Sequence, residues 1–399
     1  MPQIETIERN KCAISGMEDL EVIDVMPRFP IYMGCVDTPE TDDVFVDAIW
    51  SISKSSGVIQ LQRLIPLNLL YQEQHASGVV GDIWMQHHRA FADFLQQQKP
   101  LSVFEIGGAH GILATEYMKQ QTIEWVILEP NPAPIGGCPA KFVKGFFTGK
   151  EDIPVGKPTI VHSHVFEHMY DPREFIKGLS ESMDVGQDMV FSIPNMQEML
   201  RRGYTNCLNF EHSVFLTEDA VDGLLTEFGF EVKTKKLFRQ DHSIFYSVSK
   251  SKIFTVSKSD FFNHYETNVV IYANYKNRYS DLIRNFNNVL TELPTDRKIF
   301  LFGAHIFSQY LIFNGLDASR IHCILDNDLN KQNHRMYGTK FTVNSPTVLV
   351  DEKEPIVILC AGVYNEEIKS AIVDNINAKT IFLEDVCSVD SELLRIEIK

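Results

Sequence analysis

The residues best placed to do chemistry fall into two groups. The first is a run, Val103-Phe-Glu-Ile-Gly-Gly-Ala-His-Gly111, followed by Ile112-Leu-Ala-Thr-Glu-Tyr-Met118. Ser102 to Glu105 have the character of a buried strand, and residues 112–118 that of a helix. Glycines 107, 108 and 111 let the backbone between them approach a ligand closely, so the unit has the form of a nucleotide site. The dinucleotide fingerprint would need glycines at 107, 109 and 112. Ala109 and Ile112 stand there instead. A second acid, Glu129, ends the apolar run Trp125-Val-Ile-Leu128, where a carboxylate can hydrogen-bond ribose hydroxyls. The second group is histidine-rich: His164-Val-Phe-Glu-His168 and Asn209-Phe-Glu-His212. A side chain that exchanges a proton near neutral pH is first of all a histidine.

The elements that must carry these residues alternate. Strands are expected near 102–106, 124–128, 141–143, 158–163 and 188–193, with helices between, in a parallel doubly wound sheet that binds ligands at the carboxyl ends of its strands. A helix over Trp84–Gln97 leads in. A capped helix from Thr217 and antiparallel strands near 228–232 and 243–248 close the unit. A helical stretch, about 272–293, precedes a second α/β unit with strands near 298–302, 321–325, 355–360 and 380–383. Its first loop, after Phe302, has one glycine and gives only weak ground for a second nucleotide site. Residues 1 to 75 read as mixed short strands and turns, with alternation over Ile59–Ile65. The expected division is 1–75, 76–250, 251–297 and 298–399.

Composition narrows the function. A chain of 399 residues suggests two or three domains. Net charge is −16 and no basic patch with interleaved aromatics occurs, which argues against nucleic acid as a partner. No apolar run reaches the roughly 20 residues of a membrane span. The acidic N-terminus is no signal peptide. Seven scattered cysteines fit reduced thiols and a cytoplasmic location. His164-Val-Phe-Glu-His168 matches the H-x-x-E-H zinc-protease pattern, but directly after a strand and before Asp171-Pro172 it lacks the long helix that such a site needs.

The glycine loop resembles motif I of class I S-adenosylmethionine (SAM) methyltransferases. The whole layout resembles the nucleotide-sugar C-methyltransferases, which act on keto-deoxysugars. That family has a small zinc-binding N-terminal lobe, a central SAM domain and a C-terminal Rossmann-like domain. Beyond the glycine loop, the resemblance rests on Tyr71-Gln-Glu-Gln-His-Ala-Ser77, Val165-Phe-Glu-His168, Asn209-Phe-Glu-His212, and Leu325-Asp-Asn-Asp-Leu-Asn-Lys-Gln332 with Gly338 and Ser345-Pro346. It implies an α/β fold with a class I methyltransferase sheet, SAM as cofactor and a nucleotide-linked sugar as substrate. SAM would be held by Glu105, Gly107, Gly108, Gly111, Glu129 and His164. His212 would be the general base, with Glu211 orienting it and His168 as the second candidate. Tyr71, Asn209 and His242 would face the substrate. Two departures stand out. The family's two Cys-x-x-Cys-Gly knuckles read Cys12-Ala-Ile-Ser15-Gly16 and Ser53-Lys-Ser-Ser56-Gly57 here. Serine stays protonated and is a poor zinc ligand, so no zinc, and no other metal, is expected. Asn209 and His242-Ser-Ile-Phe also replace a tyrosine and a His-Gly-Gly-Ser segment. An O- or N-methyltransferase, or a SAM-binding module without catalysis, are therefore the competing expectations.

Overall fold

The computed structural model describes residues 4–70, 81–251 and 263–384. They form two compact units. The first comprises residues 1–33, 39–201 and 206–274; the second comprises 34–38, 202–205 and 275–399. Tyr71 of the expected substrate set lies outside the described residues.

The first unit begins with an antiparallel sheet of β1 (Leu20–Pro30), β2 (Phe45–Ser53) and β3 (Ile59–Leu61). Short strands were expected throughout this region; β1 has 11 residues and β2 has 9. Their length was hidden because charged side chains and register shifts near Val22/Asp24 and Met26/Phe29 interrupt the alternation of β1. The expected strand over 59–65 is broken instead, into Ile59–Leu61 and Arg63–Leu64. The four knuckle positions cluster without thiolates. Cys12 Sγ lies 3.4 Å from Ser56 Oγ and accepts from the Ser15 amide at 3.3 Å. Ser53 Oγ accepts from the Ser56 amide and donates to Asp19 at 2.9 Å. Hydroxyl hydrogen bonds and the buried side chains of Cys12, Ile14 and Val58 tie this corner to the core.

Helix α1 (Asp82–Gln97) then leads into the central sheet. Its strands are β4 (Ser102–Ile106), β5 (Glu124–Glu129), β6 (Lys141–Lys144), β7 (Thr159–Ser163), β8 (Asp188–Pro194), β9 (Phe230–Phe238) and β10 (Ser243–Lys250). The order is β9-β10-β8-β7-β4-β5-β6. β4 to β8 run parallel, and β10 pairs antiparallel with both β8 and β9. The central strands read as unbroken apolar runs because both faces are covered. Ile160, Phe191 and Tyr246 belong to one core layer; Val103, Val161 and Val190 belong to the other. α2 (Ile112–Met118), α3 (Pro172–Ser182) and α5 (Glu218–Glu227) flank the sheet, with α4 (Met196–Arg202) after β8. Asp171 and Thr217 cap α3 and α5 through their side chains.

A 28-residue helix, α6 (Tyr265–Glu292), starts earlier than its apolar spacing indicated. The second unit carries a five-stranded parallel sheet: β11 (Ile299–Phe302), β12 (Ile321–Leu325), β13 (Val343–Asn344), β14 (Ile356–Leu359) and β15 (Ile381–Glu384). The order is β13-β12-β11-β14-β15, the first five strands of the Rossmann order 3-2-1-4-5-6. Asp326, just after β12, accepts from the Ala304 amide of the first loop at 2.8 Å and from the Asp328 amide at 2.9 Å, and pairs with Lys331. No described helix is long and apolar enough to cross a membrane.

Candidate active site

β4 delivers the glycine loop at the carboxyl edge of the sheet, beside the reversal of strand order between β4 and β7. Gly107 and Gly111 have φ of 74° and 70°, and Ala109 also has a positive φ. Side chains would not fit here: a Cβ on Gly107 would lie 2.6 Å from Val165 Cγ2, one on Gly108 2.7 Å from Ile127 Cγ2, and one on Gly111 2.4 Å from Cys138 Sγ. Glycine at all three positions therefore reflects tight walls as well as backbone freedom.

The two acids of the loop differ in state. Glu129 ends β5 and accepts from the Ala109 amide at 3.0 Å and the Asn131 amide at 2.9 Å. Each carboxylate oxygen keeps a lone pair for a ribose hydroxyl. Glu105 is 3% exposed and accepts from Trp125 Nε1 at 2.8 Å. Burial, partly countered by that hydrogen bond, raises its pKa to about 7. The resemblance put Glu105 against the cofactor; in the structure its visible partner is Trp125.

Strand β7 ends in the second group. His164 has φ of 53° and donates its amide to Ser192 O. Its Nδ1 lies 3.1 Å from Glu167 Oε1. Glu167 is 1% exposed; burial alone would raise its pKa, but the hydrogen bond from His164 and the charges of His164, His168 and His212 hold it down to about 2. His168 Nδ1 lies 3.8 Å from Glu211 Oε2, and its ring sits edge-on to His212 at 4.8 Å between centroids. Glu211 thus faces His168, whereas orientation of His212 was expected of it. Burial, with the neighbouring His168, lowers the pKa of His212 to about 3, so its imidazole is neutral at pH 7.

The segment 195–211 leads from β8 to His212. It contains α4 and a short 3-10 turn at Thr205–Cys207. Asn209 is 2% exposed: its oxygen accepts from the Glu211 and His212 amides at 2.8 and 2.9 Å, and its nitrogen donates to Asn206 O at 3.0 Å. Both lone pairs of that oxygen are taken, so Asn209 shapes the His212 turn. The N-terminal lobe grips the next residues. The Leu61 amide donates to Ser213 O at 2.9 Å and the Phe215 amide to Ile59 O at 2.8 Å, so residues 213–215 run antiparallel along β3 through a single bridge, Gln60 to Val214. Arg9 adds bonds to Ser213 O at 3.0 Å and Tyr170 O at 2.5 Å. The lobe, with one thiol at its knuckle positions, fixes the His212 turn.

His242 is 2% exposed and buried beside β10, with its Nδ1 2.6 Å from Ser243 Oγ. Its neighbours are Trp84 and His87 of α1. Neither was singled out in the sequence, where α1 shows only an amphipathic packing pattern, and nothing in that pattern separates His87 from a core residue.

Two family models match the chain. A methyltransferase domain matches residues 83–235, and a C-methyltransferase C-terminal domain matches residues 263–385. No curated protein sequence matches it. Similar solved structures include the mitomycin 7-O-methyltransferase MmcR, at 12% identity over 43% of this chain and 55% of that one, with a TM-score of 0.35. Magnesium protoporphyrin IX methyltransferase (ChlM) from Synechocystis PCC 6803, with bound SAH, is similar at 15% identity over 43% and 89%, with a TM-score of 0.33. A SAM-dependent methyltransferase from Mesorhizobium loti is similar at 10% identity over 40% and 97%, with a TM-score of 0.32. The glycine cradle, the acid at the end of β5 and the two matched domains agree: the chain is a SAM-dependent methyltransferase with a C-methyltransferase C-terminal domain.

Proposed function

We propose that the chain methylates a carbon of a nucleotide-linked keto-deoxysugar, with His212 as general base. The observation that carries this reading is the match of residues 263–385 to a C-methyltransferase C-terminal domain, together with a histidine turn held by the N-terminal lobe. Bound SAM supplies an electrophilic methyl group on a sulfonium. Gly107, Gly108 and Gly111 keep side chains off it, Glu129 binds its ribose, and the loop at His164 closes its edge. Glu105 supports β5 from behind through Trp125. His212 takes the proton from the carbon beside the ketone. The carboxylates of Glu167 and Glu211 stabilise the positive charge that then develops on the His168–His212 pair. Asn209 is a positioning residue that holds the His212 turn.

A second reading is O-methylation of a sugar hydroxyl. It is favoured by the low basicity of His212, because a hydroxyl loses its proton as the methyl group arrives and needs a weaker base than a carbon acid does. Incubation with labelled SAM and a panel of nucleotide sugars distinguishes the two. Label in a carbon-bound methyl, and exchange of the proton beside the ketone in heavy water without SAM, are expected. Label on oxygen without exchange would sustain the second reading, and no transfer to any sugar would sink both.

Glu129→Ala separates the cofactor from the acceptor. It removes charge-assisted bonds worth about 1.5–3 kcal/mol, so SAM should bind roughly 10- to 100-fold more weakly by calorimetry. The acceptor KM at saturating SAM should stay unchanged. Unaltered SAM affinity would remove Glu129 from the cofactor site.

A further inference from the structure

A second histidine cluster lies beside the first and meets it at Glu167. His87 comes from α1, His164 from the end of β7 and His242 from the turn before β10. One ring nitrogen from each lies within 4.8 Å of the others. Each ring also has an oxygen on one nitrogen. His87 Nε2 lies 3.0 Å from Ser192 Oγ, His242 Nδ1 lies 2.6 Å from Ser243 Oγ, and His164 Nδ1 lies 3.1 Å from Glu167 Oε1. The opposite nitrogens of the two buried rings, His87 Nδ1 and His242 Nε2, meet no hydrogen-bond partner. The third, His164 Nε2, meets only the Ser243 hydroxyl, at 2.9 Å. Phe238 and Phe245 pack against His87, and Trp84 lies edge-on to both His164 and His242.

We propose that His87, His164 and His242 bind one divalent transition ion of the zinc type. Histidines that ligate a metal give their other nitrogen to a carboxylate, carbonyl or similar oxygen, which fixes the tautomer and aims the ring. Glu167, Ser192 and Ser243 are three such oxygens, one for each ring. Binding also needs neutral imidazoles. Zinc–nitrogen bonds of about 2.0–2.1 Å require the ligand nitrogens to close together by roughly an ångström, within the reach of ring rotation. A water completes four ligands. The ion would tie α1 to the ends of β7, β8 and β10. His164 keeps its backbone for the cofactor while its ring serves the ion.

The full-length chain, stripped with a chelator, is titrated with Co2+ followed by absorption, and with Zn2+ followed by thermal melting. Wild type should take up one equivalent in the intense visible bands of a four- or five-coordinate site, and its melting temperature should rise with Zn2+. His87→Asn and His242→Asn should each weaken binding at least tenfold, and Glu167→Gln roughly 10- to 100-fold. His212→Asn and Cys12→Ser should bind as wild type does. If either histidine variant fails to fold, the other carries the test. Two results would overturn the proposal: uptake by wild type no greater than by a variant lacking all three histidines, or binding lost with His212, which would move the ion to the Glu167–His168–His212 cluster.

Discussion

His212→Ala should lower kcat by about 10²-fold or more, the range a positioned general base contributes. KM for SAM should stay near the wild-type value, because the cofactor cradle is built from the β4 loop and Glu129 on other elements. The pH profile adds an independent check. A base works in its deprotonated form, and burial holds His212 at about 3. Its deprotonated fraction is therefore nearly complete from pH 8 down to about 5, and loss of this group's activity is not expected in that window. An acid limb near pH 6.5 would mean that the base is not the buried His212 imidazole. His212→Gln keeps bulk and polarity without basicity and should be as slow as the alanine variant. Turnover near wild type in either variant would remove His212 from the chemistry.

The native state should also lose stability steeply in mild acid. His87, His162 and His242 are each 2% exposed or less. His162 lies on Phe191 with ring centroids 4.8 Å apart, and neither of its nitrogens has a partner. Burial lowers the pKa of all three, to about 3 for His162 and His242. The unfolded chain protonates them near pH 6.5 while the folded chain does not. Their contribution to stability is thus intact above pH 6.5 and is lost as pH falls from there toward 3. Glu105 acts in the opposite sense. With its pKa raised to about 7, the folded chain holds its proton between about 7 and 4.5 while the unfolded chain releases it. With His212, also held at about 3, the net is about three protons more on the unfolded state near pH 5.5, or about 4 kcal/mol lost per pH unit. Denaturant titrations at pH 7.5, 6.5 and 5.5, in chelator, measure it. His162→Phe keeps the stack on Phe191 and removes one of the protonating groups, so its stability should fall more slowly with acid by about 1.4 kcal/mol per pH unit. Parallel curves for variant and wild type would refute the account.

Much of the central sheet was legible in the sequence because each parallel strand is buried on both faces and so appears as an apolar run ending in a functional residue. Ser102–Ile106 leads to the glycine loop, Glu124–Glu129 ends in its acid, and Thr159–Ser163 leads to His164. The N-terminal lobe was less legible. Its strands carry Glu21, Asp24 and Arg28 among the apolar residues, and its pairing depends on register shifts that no local pattern marks.

The sequence by itself determined the kind of cofactor. Glycines at 107, 108 and 111 and an acid at 129 are local requirements, set by backbone conformation and by the end of a strand, and a linear pattern records them. Only the tertiary structure decided how the histidine segments meet. Glu211 faces His168, Asn209 builds the His212 turn, and β3 holds that turn in place. His87 meets His164 and His242 across 77 and 155 residues of sequence. Such meetings arise from strand order and helix packing, which bring together side chains whose spacing along the chain carries no period.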